Sequence, residues 1–263
     1  MDLRSKTVVL TGATGGIGSA IAERLDAEGA RLVLVARNVQ RLTEFVDTLV
    51  TDGHRVVPAD IGDDSGRRRV VEACRDAEVS LLINAAGVGD FGLFEDQTAD
   101  AIRRLVGVNL LGPMLLTLEL LPLLEKRESC IINIGSTFGS IGYPGFSSYC
   151  ASKFGLRGFT EALRRELGDG GTRVAYLAPR ATRTELNTAS VVAMNDALGT
   201  AMDEPSLVAG EVLGLIRRAA GADRYIGWPE KLFVRINALF PGIVDSSLRK
   251  RLPLIRRFAS SKP

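Results

Sequence analysis

Residues 6–18 read KTVVLTGATGGIG: a β-branched apolar run, a glycine-rich turn, and the first residues of a helical pattern. With no side chains at Gly12, Gly16 and Gly18, and Gly15 beside them, a strand can turn sharply into a helix whose backbone N–H groups approach a pyrophosphate. A plain tight turn has the same composition. Position separates the two: lying between a first strand and a first helix predicts a dinucleotide site.

The alternation continues down the chain. Short aliphatic runs, RLVLVA, HRVVPA, VSLLINA, CIINIGS, TRVAYLA and RYIG, are separated by amphipathic stretches. This predicts an α/β fold, a doubly wound parallel sheet with helices on both faces, whose ligands bind beyond the C-terminal strand ends. The polar punctuation TGATGGIG, ARN, AD, NAAG, GS and APRATRT falls at those ends. No repeat or linker marks a second domain.

Composition narrows the chemistry. At 263 residues, 46% hydrophobic and mean hydropathy +0.13, one large core is expected. Cys74, Cys130 and Cys150 share no metal-ligand spacing, and the sole histidine, His54, has no partner for a zinc site or a Ser-His-Asp triad; no metal is expected. Buried free thiols in a reducing compartment are. The start, MDLRSKTVVLTG, reaches a strand without an export leader, which predicts a cytoplasmic protein. Leu110–Leu124 is apolar but broken by Gly112, Pro113, Glu119 and Pro122, and reads as a buried helix rather than a span. Net charge is +2, yet from Asp223 onward nine Lys/Arg face three Asp/Glu; the excess is local to the C-terminus and implies no nucleic-acid partner.

At the end of the second run, where an NAD-type site places a carboxylate for the ribose, stand Ala36 and Arg37. A guanidinium suits a 2′-phosphate through bidentate contacts, which points to NADP(H) over NAD(H); the competing reading is a solvated Arg at a helix start. Asp60, ending the third run, either accepts from an adenine amino group or caps the next helix.

YCASK puts Tyr149 and Lys153 four apart, on one helix face, with Ser136 at the end of the fifth run. A nearby ammonium favours phenolate and is expected to lower the tyrosine pKa from about 10 toward working pH.

These residues resemble the short-chain dehydrogenase/reductase family in its compact single-domain branch, from about Lys6 to Pro179: TGxxxGxG at Thr11–Gly18, NAAG at Asn84–Gly87, Asn109, Ser136 and YxxxK at Tyr149–Lys153. The resemblance implies a Rossmann-type fold and reversible hydride transfer between a nicotinamide and a small-molecule carbonyl or alcohol. It makes Tyr149 the general acid/base, Ser136 a donor to the substrate oxygen, Lys153 the tyrosine's tuner and a ribose ligand, and Asn109 the holder of a relay water. Gly12, Thr14, Gly16, Ile17, Gly18, Arg37, Asp60, Ile61, Asn84, Ala85, Gly87, Tyr149, Lys153, Pro179 and Thr184 would hold the cofactor. A non-catalytic nucleotide-binding regulator of the same fold is the competing class, and an epimerase or dehydratase competes within enzymes. Intact Ser136, Tyr149, Lys153 and Asn109 argue for catalysis.

The family's Pro-Gly after the sixth strand is Pro179-Arg180 here, with Thr182 and Thr184 both available beside the carboxamide and Thr184 preferred by spacing. Arg180 and Arg183 either face an anionic substrate group or are solvated. Residues 180–205, with Val191, Val192 and Met194, are expected to form an apolar lid, which favours lipophilic substrates. The resemblance further implies a homodimer or homotetramer built on helices around Ala99–Lys126 and Ser148–Gly168.

Residues 1–227 are expected to form the catalytic domain and 228–263 a helical extension of it. In the extension, Leu232, Phe233, Ile236, Leu239 and Phe240 fall at helical spacing, and Leu248, Leu252 and Ile255 alternate with Arg249, Lys250, Arg251, Arg256 and Arg257. The first helix either packs on the domain or lines the substrate mouth. For Ser246–Phe258 the basic amphipathic pattern predicts peripheral contact with an anionic membrane face, the alternatives being a subunit contact or a loose solvated tail.

Overall fold

The computed structural model describes residues 1–4, 6–124, 128–218 and 221–260; the ends of the expected helix to Lys126 and of the C-terminal tail lie outside them. Seven parallel strands, β1 (Thr7–Thr11), β2 (Arg31–Ala36), β3 (Arg55–Pro58), β4 (Val79–Asn84), β5 (Ser129–Ile134), β6 (Thr172–Ala178) and β7 (Asp223–Tyr225), pair in the order 3-2-1-4-5-6-7. The order reverses between β1 and β4, where Thr11 lies opposite Asn84, so the ligand crevice opens beyond those two strand ends.

The inner strands carry apolar residues on both faces because both are covered, whereas the edge strand β7 is the half-buried DRY. Val8 and Leu10 face one core with α1 (Gly16–Asp26) and α8 (Pro205–Arg217); Val9 faces the other with α3 (Asp64–Cys74), α5 (Gly112–Leu124) and α6 (Ser147–Glu166). The remaining helix beside β2, α2 (Val39–Val46), is capped by Asn38, whose Oδ1 accepts from Arg41 N. The three cysteines are buried and unbonded. His54 accepts from Leu32 N at Nδ1 and donates from Nε2 to Asp26, a structural role.

α4 (Ala99–Val106) runs through a π-turn at Gly107–Leu111 into α5, and Ala99–Leu124 is long and apolar enough to cross a membrane by length and composition. The expectation of a buried helix holds for one side only. Leu116, Leu120 and Leu124 are buried on the sheet, while Leu111, Leu115 and Leu118 are exposed.

The extension forms α9 (Glu230–Leu239) and α10 (Pro241–Ala259), and α10 packs on α9 and on α7 (Ala189–Ala197) of the lid. This bears on the reading of Ser246–Phe258. Ile255 and Ala259 are buried and Leu248 lines a cavity, so part of this apolar face packs within the protein itself. On α9 the buried residue is Val234, and Leu239 and Phe240 point outward, at 72% and 60% exposure.

Candidate active site

The glycine loop fits a dinucleotide by geometry. Gly12 has φ +71°, and a side chain there would meet Ala86 Cα at 2.7 Å; one at Gly18 would meet Gly12 O at 2.0 Å. Only hydrogen fits at either place. Thr11, fully buried, accepts from Ala85 N and Ala86 N at 3.1 Å each, so the loop after β1 is tied to NAAG after β4. α1 begins after Gly15 with neither a side-chain cap nor an acidic residue in its first turn, leaving its N–H groups free for an anion. Thr14 and Ile17 are half-buried on this turn, and Ile17 also lines the substrate cavity.

Not every residue expected at the cofactor turns its side chain to it. Ile61 is 3% exposed and packs in the core, and its carbonyl accepts from the buried Arg67 at 3.0 Å. Asn84 is likewise turned inward, donating to Asn133 Oδ1 at 2.8 Å and Thr117 Oγ1 at 3.3 Å, because its place in β4 points it at α5. Asn133 in turn donates to Thr160 of α6, a buried polar ladder that sequence inspection missed. Asp60 is held by Gly62 N at 2.9 Å. Ala85 is half-buried and Gly87 exposed at the strand end.

Arg37 is exposed and has no ion-pair partner among the described residues. One turn on, Arg41 reaches across to Glu185 at 3.1 Å, joining α2 to the segment after β6. A basic residue there was not anticipated; its i+4 spacing from Arg37 is the signal that was available.

Ser136, Tyr149 and Lys153 come together. Ser136 Oγ accepts from Phe138 N at 3.1 Å and lines the same cavity as Tyr149, whose phenol pKa it helps hold down, while its peptide is bracketed by the Tyr176 hydroxyl, which donates to Ser136 O and accepts from Ser136 N. Tyr176 was missed as well. The small residues flanking Ser136 carried its signal, since a side chain at Gly135 or Gly139 would strike the Tyr176 hydroxyl at about 2 Å.

The expected lowering of the tyrosine pKa is not what the geometry gives. Burial against Phe138 and Phe146 pushes Tyr149 up to about 12, and Ser136 offsets only part of that. Lys153 Nζ is turned toward Ile134 O, and burial pushes the ammonium down to about 8.

Asn109 sits in the π-turn, a distortion that often marks functional sites. Its amide is engaged with Val88, accepting from N at 2.8 Å and donating to O at 2.9 Å, and it also donates to Ser152. The side chain therefore clamps the loop beyond NAAG, with both amide hydrogens and one of the two Oδ1 acceptor sites engaged.

Around the hydroxyl pair lies a cavity of about 640 Å³, lined by Phe91, Phe138, Tyr143, Phe146, Val191 and Met194 among others, with α9 and α10 as one wall. Pro179 and Thr184 border it, and Thr184 Cγ2 lies 2.8 Å from where a Gly16 side chain would begin. Thr182 is buried, donating to Arg180 O. Arg180 faces no open anion site: it holds Asp203 at 2.7 and 2.9 Å and Glu230 at 3.4 Å, tying the lid's root to α9. Arg183 pairs with Glu204 at 2.9 Å on the surface.

A family model for short chain dehydrogenase matches residues 6–195. The chain is 30% identical over 258 residues to an uncharacterized oxidoreductase, YxnA, of Bacillus subtilis, covering 94% of this chain and 72% of that one. Among solved structures it resembles a 3-ketoacyl-(acyl-carrier-protein) reductase from Brucella melitensis complexed with NADH, at 27% identity, TM-score 0.79, and 87% and 99% coverage of the two chains. A short chain dehydrogenase from Burkholderia cenocepacia in complex with NADP matches at 27% identity and TM-score 0.79, covering 88% and 100%. The chain belongs to the short-chain dehydrogenase/reductase family. It is on that ground an NAD(P)-dependent oxidoreductase.

Proposed function

We propose that the protein interconverts a lipophilic carbonyl and its alcohol with NADP(H), and that its resting state is set for reduction. The observation that carries this is the Ser136–Tyr149 hydroxyl pair at the foot of an apolar cavity that Ile17 of the glycine loop also lines. When bound, the dinucleotide supplies the hydride. Negative charge then develops on the carbonyl oxygen, and two hydroxyls already aimed there stabilise the transition state more than the ground state. Ser136 donates a hydrogen bond to that oxygen, and Tyr149 gives up the proton. A phenol held neutral by burial stands ready as the acid. Lys153 contributes positive charge below the phenol and a donor to the ribose. A relay water would rest at Asn109 within the π-turn.

The glycine loop and α1 N-terminus receive the pyrophosphate, Asp60 and the Ile61 main chain the adenine, Ala85 and Gly87 the ribose side, and Pro179 with Thr184 the carboxamide. Relatives complexed with NADH and with NADP support a nicotinamide cofactor of either kind. For the 2′-phosphate, Arg37 is free and Arg41 can join it by leaving the exposed Glu185. Following NADPH absorbance over a panel of ketones, aldehydes and alcohols tests the reading. Absence of turnover with every lipophilic carbonyl, despite cofactor binding, would favour the regulatory module.

Two further parts of the reading concern assembly and place. The exposed Leu111, Leu115 and Leu118, with Phe154 of α6, support a homodimer or homotetramer built on these helices. Trp228, Leu239, Phe240 and Ile243 are exposed beside Arg235, Arg249 and Lys250, which supports a cytoplasmic enzyme touching an anionic membrane through the α9–α10 elbow rather than the face first expected.

A further inference from the structure

The family match stops at residue 195, yet α9 and α10 build part of the cavity wall. Most of what they contribute is apolar: Phe233, Ile236, Ile243 and Leu248. Arg251 is different. Of the five cations on α10, it alone lines the cavity, and it shares that lining with Tyr143, whose hydroxyl feels its charge and whose ring is stacked on Phe138 at 4.8 Å.

Three other charged residues line the same space. Arg180 and Glu230 are spent on each other and on Asp203, which leaves Asp90, from the loop after β4, and Arg251. Arg251 has no carboxylate partner among the described residues and sits exposed at the rim. A guanidinium at a rim stays hydrated while the cavity is empty, so it costs little there. An anionic group brought beside it gains a charge-assisted, bidentate contact. Tyr143 lines the same space, and its O–H can donate to the same group.

We propose that the physiological substrate is amphipathic: a lipophilic carbonyl compound whose far end carries a carboxylate, held by Arg251 and Tyr143 while the carbonyl lies at Ser136 and Tyr149. This rests on the reductase reading and assigns the anion-facing role to Arg251 instead of Arg180 and Arg183. The extension then selects substrates that the core alone would not distinguish.

Two measurements separate the two claims. The first is calorimetric titration of the NADP⁺-loaded protein with decanoate, decanol and decylamine, for wild type, Arg251→Gln and Arg251→Lys. Decanoate is expected to bind about tenfold or more tightly than decanol to wild type, to lose that advantage in Arg251→Gln and to regain part of it in Arg251→Lys. Equal binding of decanoate and decanol, or tighter binding of decylamine through Asp90, overturns the proposal. The second compares KM for a decanoic acid bearing a mid-chain ketone with KM for its methyl ester. Arg251→Gln is expected to raise the acid-to-ester KM ratio about tenfold; an unchanged ratio overturns the proposal. Decanoate bound through Arg251 without turnover of either ketone leaves the anion site standing and defeats the reductase reading. Turnover of the ester with no preference for decanoate does the reverse.

Discussion

The ammonium of Lys153 lies 5.8 Å from the centre of the Tyr149 ring and donates to Ile134 O at 3.0 Å, so it serves the phenol as a nearby charge rather than as a hydrogen-bond partner. Replacing Tyr149 by Phe deletes the proton donor and leaves the dinucleotide cradle untouched. Turnover is expected to fall by at least about 100-fold with cofactor affinity within a few-fold of wild type. Near-normal turnover would refute the assignment.

Lys153 also makes a stability prediction. The unfolded lysine keeps its proton to its ordinary 10.5 and the folded one only to about 8, so the unfolded state binds more protons between those values. The cost to stability is full below pH 8 and fades as pH rises toward 10.5. Lys153→Met is expected to stabilise the cofactor-free protein by roughly 2–3 kcal/mol at pH 7 while abolishing activity, the gain shrinking at pH 10. Thermal unfolding at the two pH values checks it. For the wild type, the rate of carbonyl reduction is expected to decline as pH rises through about 8, where the ammonium is lost.

On the proposed reading, cofactor choice would turn on Arg37 and Arg41. Arg37→Asp exchanges a phosphate-seeking cation for a ribose-seeking carboxylate and is expected to reverse or flatten a preference for NADP(H). Arg41→Gln is expected to weaken NADP(H) binding by several-fold while NAD(H) binding changes less. Equal affinity of the wild type for both cofactors sinks the reading.

Arg180→Gly restores the family residue and strips Asp203 and Glu230 of their cation. Two half-buried carboxylates are left beside each other, at a cost of about 1–3 kcal/mol. The lid should loosen at its root, seen as a raised KM with a smaller change in kcat and faster proteolysis between residues 180 and 205.

Assembly and membrane contact are separable. Leu115→Glu with Leu118→Glu charges the exposed side of α5 and is expected to yield monomers in light scattering; a wild type already monomeric at micromolar concentration would exclude the helix-built oligomer. Phe240→Glu with Ile243→Glu charges the elbow and is expected to abolish salt-sensitive sedimentation with anionic liposomes. Wild-type protein that ignores anionic and neutral liposomes alike would end the membrane reading.

The alternation of strand runs and the glycines of residues 12–18 were enough to set the fold class, a doubly wound parallel sheet, because a parallel sheet covered on both faces needs apolar runs and a turn into α1 needs missing side chains; the strand order came from the tertiary structure. The Ser136, Tyr149 and Lys153 constellation was legible for a similar reason: its chemistry depends on residue type and helical spacing. Environment was not legible. Spacing puts Lys153 beside Tyr149, but only packing against Phe138 and Phe146 decides that the phenol is held neutral, and only the direction of β4 turns Asn84 inward. A basic amphipathic pattern says that α10 has an apolar face, not what covers it. The tertiary structure lays that face over the cavity and brings Arg251 of α10 to Tyr143, 108 positions earlier in the chain, because burial of Ile255 and Ala259 against the domain leaves the helix one orientation.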